Sequence, residues 1–380
     1  MKTKQTRGFL FFKALLFRPA PLLCQLLLLC LTFPLWGEGP VFSGILDSSL
    51  ALGVPAGDGR FFYGFEEYAN LRLQQRLGDK AVFYAAFNCA AASGSAGAGF
   101  QPGENYASTL ELERLFMRLR GEYLDLEAGL LRLAFGYGQV WGPSDFLNPR
   151  NPLIPDARPR AVLGGDLVWY PGDMSKLQIF AAAPRDSADT SGAASRFGLM
   201  AEYHGNSASL QALYAYESPD DRTRLGIHSG GLSFKLDLAL GFVTEAFYTF
   251  DPEKGGSPED LAASAGLDYS FGRGDWYILA EYLYRGEKAV NPWALENQHY
   301  LYSELRYRYS DYTAWSLGAV LALEDLSAIP QLRMETEFFQ GVSLVLSCRV
   351  PLAPFQKDGE LGPDKTGAHA LIDAKIRLRL

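Results

Sequence analysis

The chain has 380 residues, with 35 Lys and Arg against 43 Asp and Glu, a net charge of −8, and 48% hydrophobic residues. An acidic balance gives no electrostatic case for nucleic acid, and four cysteines in such a length exclude a disulfide scaffold. After residue 37 no stretch approaches the run of about eighteen apolar residues that a spanning helix needs, so the 25 Phe and 20 Tyr are dispersed by alternation, which is the pattern of strands.

The chain begins with Lys2, Lys4, Arg7, Lys13 and Arg18, then an apolar run from Leu22 to Trp36, then Gly37. Charge, apolar core and small residue in that order mark residues 1–37 as an export signal. An uncleaved anchor is disfavoured because Pro21 and Pro34 flank or interrupt a core too short to span. Lipidation at Cys30 is disfavoured because Leu29, not a small residue, precedes it.

From there the chain alternates extended segments with turns. Phe42–Gly53, Phe61–Leu77 and Lys80–Ala91 come first, the last two joined by Gly78-Asp79, a two-residue hairpin turn. A hairpin follows, starting at Leu110, turning at Gly121-Glu122 and ending near Tyr137. Further segments turn at Pro171-Gly172-Asp173, Gly205-Asn206, Asp237, Gly272-Arg273-Gly274, Ser310-Asp311 and Gln340-Gly341, and the last is Ala368–Leu380. The count is eighteen strands, with sixteen as the alternative because strand ten and strands fifteen to seventeen are the weakest. Long and short connections alternate, and an even number of strands returns the two ends to one side, as in an all-β, antiparallel transmembrane barrel over residues 38–380. No propeller-like repeat of about 40–50 residues is present.

Lipid offers no hydrogen-bond partner, so a sheet crossing it closes on itself. The last segment carries the two faces this requires: Ile372, Ala374, Ile376 and Leu378 on one phase, Asp373, Lys375, Arg377 and Arg379 on the other. Charges on a membrane strand are tolerable where they face a wet interior. By the same alternation Arg72, Glu202, Glu245, Asp268, Glu281, Glu304, Arg306, Arg308, Arg333 and Glu335 point inward as candidate pore-lining residues, each with an ion pair bracing the wall as its plainer role. So many strands enclose a polar, hydrated channel rather than a packed core.

The connection Gly138–Arg160 contains Trp141, five prolines, Asp145, Arg150, Arg158 and Arg160. Prolines reduce the entropy lost when a loop adopts one shape. Here the chain resembles the outer-membrane porins, in which the third long loop, after strand five, folds into the lumen as the constriction. The run GYGQVWGPSDFLNPRNP is similar to the G-x-Q-x-x-W-G…NP stretch of barrels of the alginate-export kind. The resemblance implies Trp141, Asp145, Arg150, Arg158 and Arg160 as constriction-loop residues. It also implies outer-membrane lipid, small hydrophilic solutes and the barrel-assembly machinery as partners, and leaves open whether barrels associate. The terminal Leu380 departs from the aromatic residue that usually ends such barrels.

Catalysis has little support: His204, His228, His299 and His369 lack metal-ligand spacing, and neither a GxSxG elbow nor a phosphate loop occurs, which leaves only a hydrolase assembled from Ser and His on distant strands. No cofactor is expected. The two readings are a passive diffusion channel and a surface structural or adhesive barrel with a closed pore. Connections of ordinary length favour the channel.

Overall fold

The computed structural model describes residues 39–56, 61–94, 106–153, 159–183, 195–219, 225–355 and 359–380. The expected export signal lies outside them. Eighteen strands make one sheet. The first six are β1 (Val41–Pro55), β2 (Phe62–Leu77), β3 (Ala81–Gly94), β4 (Tyr106–Arg120), β5 (Leu124–Leu131) and β6 (Val162–Gly172). Next come β7 (Ser175–Ala183), β8 (Arg196–His204), β9 (Ala208–Glu217), β10 (Ile227–Asp237), β11 (Gly241–Phe250) and β12 (Leu261–Phe271). The series ends with β13 (Trp276–Arg285), β14 (His299–Arg308), β15 (Thr313–Ala322), β16 (Ala328–Phe339), β17 (Val342–Arg349) and β18 (Ala368–Arg379).

Each strand pairs antiparallel with its neighbours in sequence, and β1 pairs with β18, which closes the barrel. The eighteen-strand count holds, including the four weakest segments. The seam is braced inside by Asp47, whose carboxylate takes Nε and Nη2 of Arg377 at 2.9 and 3.0 Å. The turns work as expected where glycine is needed: Gly78 and Gly341 adopt φ of 72° and 81°, the left-handed region that side chains disfavour.

The two phases of each strand separate as the pleat dictates. Leu50, Leu163, Ile179, Leu232, Leu317 and Ile376 are all exposed on the outward phase, Leu232 by 60%. A continuous apolar exterior of this kind is what a lipid-facing wall needs.

Two expectations are corrected. The alternating run after Gly121 leaves the sheet at Leu131 rather than near Tyr137. Leu133 and Phe135 instead turn into the barrel, where they are buried. The interior is also not uniformly wet. Phe116, Phe180, Met200, Leu213 and Phe247 occupy inward positions and form one buried cluster with Leu131, Leu133, Phe135 and Leu147. Part of the lumen is therefore a packed core, because the segment after β5 supplies the apolar partners that water would not.

Candidate functional site

The wall is built by register. Pairing sets Glu245 opposite Ser233 and Ser264, Glu281 opposite Gly266 and Tyr302, and Arg306 opposite Tyr277 and Ser316, all on the inward phase. Arg72, Glu202, Asp268, Glu304, Arg308, Arg333, Glu335, Asp373, Lys375, Arg377 and Arg379 share that phase. Many pair within the wall. Glu304 accepts from Arg306 and from the Tyr302 hydroxyl, both at 3.0 Å, and Glu335 lies 3.4 Å from Arg333 and 3.3 Å from Arg379. Arg308 meets Asp275 at 3.1 Å, Lys176 meets Glu202 at 3.1 Å, and Arg72 donates to the Asn70 side chain at 2.5 Å.

Glu245 and Glu281 differ from the rest. They are 2% and 1% exposed, and their partners are backbone amides of the connection between β5 and β6. Glu281 accepts from the amides of Gln139 and Val140 at 3.1 Å each and from Trp141 at 2.7 Å. Glu245 accepts from Tyr137, Gly138 and, at 3.3 Å, Ser144. Two wall carboxylates thus satisfy six consecutive or near-consecutive donors that a turn inside a barrel would otherwise leave unpaired. The local sequence permits the approach. Gly136 has φ of 82°, and a Cβ there would run into the Glu245 carboxylate.

The loop therefore runs along the inner wall. Tyr137 donates its hydroxyl to Glu202 at 2.8 Å, and Gln139 bridges Asp268 at 3.1 Å and the Tyr277 hydroxyl at 2.8 Å. Trp141 is 0% exposed and sits edge-on to Trp293, ring centroids 5.6 Å apart, and 5.8 Å from Tyr300. Its ring anchors the loop rather than facing water. Trp293, from the loop before β14, donates its indole N–H to the Arg150 carbonyl at 2.6 Å, and Arg349 on β17 reaches the Leu153 carbonyl at 3.5 Å. Asn148 ties the base together by accepting from Leu133 N at 2.7 Å and donating to the Arg160 carbonyl. The Arg150 and Arg160 residues are exposed, and Arg158 lies outside the described residues.

Burial pushes the Asp145 carboxyl up to about 7; the Glu245 charge adds to this and Arg150 opposes it. A group whose docked pKa is raised favours docking below the ordinary carboxylate range and loses that contribution as pH climbs towards about 7. Loop amides should accordingly exchange faster at pH 8 than at pH 5 once intrinsic rates are corrected. Asp145→Asn should reduce that difference; a variant that keeps it in full would exclude Asp145 as a contributor.

Water-accessible space remains on two sides. One cavity of about 540 Å³ lies between Pro152 and Leu153 of the loop and Glu304, Arg306, Arg333 and Arg349 of the wall. Another of about 670 Å³ is lined by Gln74, Arg76, Tyr84, Arg118 and Arg120. The sequence reading missed Arg349, Arg118, Arg120, Tyr277 and Trp293. The first four sit on the inward phase, a signal already present, whereas Trp293 belongs to a loop and had none.

No protein-family model matches the chain, and no curated protein matches its sequence. Solved structures do share the fold. A BenF-like porin from Pseudomonas fluorescens Pf-5 superposes with a TM-score of 0.60 at 10% identity, covering 91% of this chain and 99% of that one. The outer membrane protein opdK from Pseudomonas aeruginosa gives 0.59 at 11% identity with the same coverage, and Acinetobacter baumannii OccAB4 gives 0.57 at 11%. The chain has the closed eighteen-strand antiparallel barrel fold found in outer-membrane porins.

Proposed function

We propose that this chain is an outer-membrane porin, a water-filled channel for passive diffusion of small hydrophilic solutes, with the loop 138–160 as its constriction. The observation that carries the reading is the docking of that loop on Glu245 and Glu281, beside a charged wall that keeps an open cavity. A loop serving only as an outer cap would have no need of two buried wall carboxylates. In this reading residues 1–37 direct export, the barrel-assembly machinery inserts the chain, and Glu304, Arg306, Arg333 and Arg349 face the passing solute.

Single-channel conductance in a planar bilayer tests it, comparing wild type with a chain lacking residues 143–158. Larger steps after deletion are expected. Unchanged steps would remove the loop from the permeation path. Silence from a protein shown to be folded would leave the closed surface barrel instead.

A further inference from the structure

The outward face carries one arrangement twice. On β9 and β10, His228 lies directly opposite Tyr216, their rings 5.2 Å apart, and Nδ1 of His228 is 2.7 Å from the hydroxyl of Tyr214. On β13 and β14, His299 lies directly opposite Tyr284, rings 5.3 Å apart, and its Nδ1 is 2.6 Å from the hydroxyl of Tyr282. Each is a Tyr-x-Tyr strand end facing a histidine at the start of the next strand, and both sit at the barrel end bearing the long connections. Two intervening strands separate the copies.

A girdle of tyrosines at the edge of an apolar band needs no histidine. With Nδ1 accepting the tyrosine proton, the imidazole carries its hydrogen on Nε2, away from that tyrosine. Neither Nε2 of the two histidines nor the hydroxyls of Tyr216 and Tyr284 has a hydrogen-bond partner among the described residues. Such donors facing hydrocarbon would cost free energy unless an acceptor met them. Towards the middle of the barrel the same outward phase continues as Leu232 and Phe234 on β10 and Leu301 and Leu305 on β14, so the clusters lie where the apolar wall ends. In a barrel that spans a membrane, that depth is the level of the lipid headgroups.

We propose that each Tyr–Tyr–His cluster binds a phosphate group of an outer-leaflet lipid headgroup, with histidine Nε2–H and the second tyrosine hydroxyl as the donors. This rests on the outer-membrane placement proposed above, which puts the long-connection end in the outer leaflet. Phosphate is the acceptor that fits, because hydrogen bonds to an anion are about twice as strong as neutral ones. The spacing of two clusters on separate hairpins gives two lipid sites per barrel.

The test uses the full chain folded in dodecyl maltoside micelles, titrated with diphosphoryl lipid A or its phosphate-free counterpart and read by native mass spectrometry. The wild type is expected to hold two diphosphoryl molecules, with a preference over the phosphate-free lipid of about tenfold. His228→Phe/His299→Phe keeps the ring contacts and should bring the two lipids to parity. Parity in the wild type, or a preference retained by the double variant, overturns the inference while leaving the barrel reading intact. A chain that gives no inserted barrel in bilayers overturns the membrane placement and this inference with it.

Discussion

Converting Glu245 and Glu281 together to glutamine is expected to release the loop inside the barrel and to give larger, noisier current steps approaching those of the loop deletion. Each carboxylate offers two oxygens to three backbone donors. A glutamine keeps the shape but turns one oxygen into an NH2 group, which sets donor against donor. Hydrogen bonds to charged groups contribute about 1.5–3 kcal/mol each, and a buried donor left unpaired costs about 1–3 kcal/mol. Either substitution alone should loosen half the seam, and the pair should populate an undocked loop. Limited proteolysis between residues 139 and 153 gives a second readout that does not depend on permeation. Quiet, wild-type steps together with an uncut loop would mean that the apolar seat of Phe135 and Leu147 suffices without the carboxylates.

Asp47→Ala should lower the unfolding free energy of the barrel by about 3 kcal/mol, the scale for breaking a buried charge pair from one side. The pair joins the first and last strands, with side chains 5% and 13% exposed, so solvent screens it little. Asp275→Ala is the matched control. Its partner Arg308 is 51% exposed and Asp275 is 47% exposed, and such pairs contribute about 0–1 kcal/mol. Urea midpoints for the folded barrel separate the two cases. Equal shifts would show that the seam is held by its backbone ladder, with the ion pair adding nothing.

The strands were legible because lipid and water impose opposite demands on alternate residues, as Ile372 to Arg379 display without ambiguity. The eighteen-strand count followed from turns such as Gly78-Asp79, where one residue type is needed for one backbone conformation. The candidate site was legible only in part. Alternation puts Glu245 and Glu281 on the inward phase beside Arg306, but it does not distinguish a carboxylate holding backbone amides from one bathed in water. A signal for the difference was available. Phe180, Met200, Leu213 and Phe247 interrupt the polar phase on β7, β8, β9 and β11, which marks a stretch of wall that something apolar must cover. Trp293 and its contact with the Arg150 carbonyl had no such signal, because loop-to-loop packing follows no period.

The clamp also makes the loop a gauge of the barrel's middle. The amide of Trp141 and the carboxylate of Glu281 are separated by 140 positions, and the amide of Ser144 and Glu245 by 101. Contacts across such spans are slow to close compared with hairpins. The loop follows β5 directly, yet its two holders stand on β11 and β13. Its seat is complete only when both strands hold their register, because a slip of one residue in either would turn its carboxylate from the lumen to the lipid face. A seated loop therefore reports the register of strands that lie far from it in sequence.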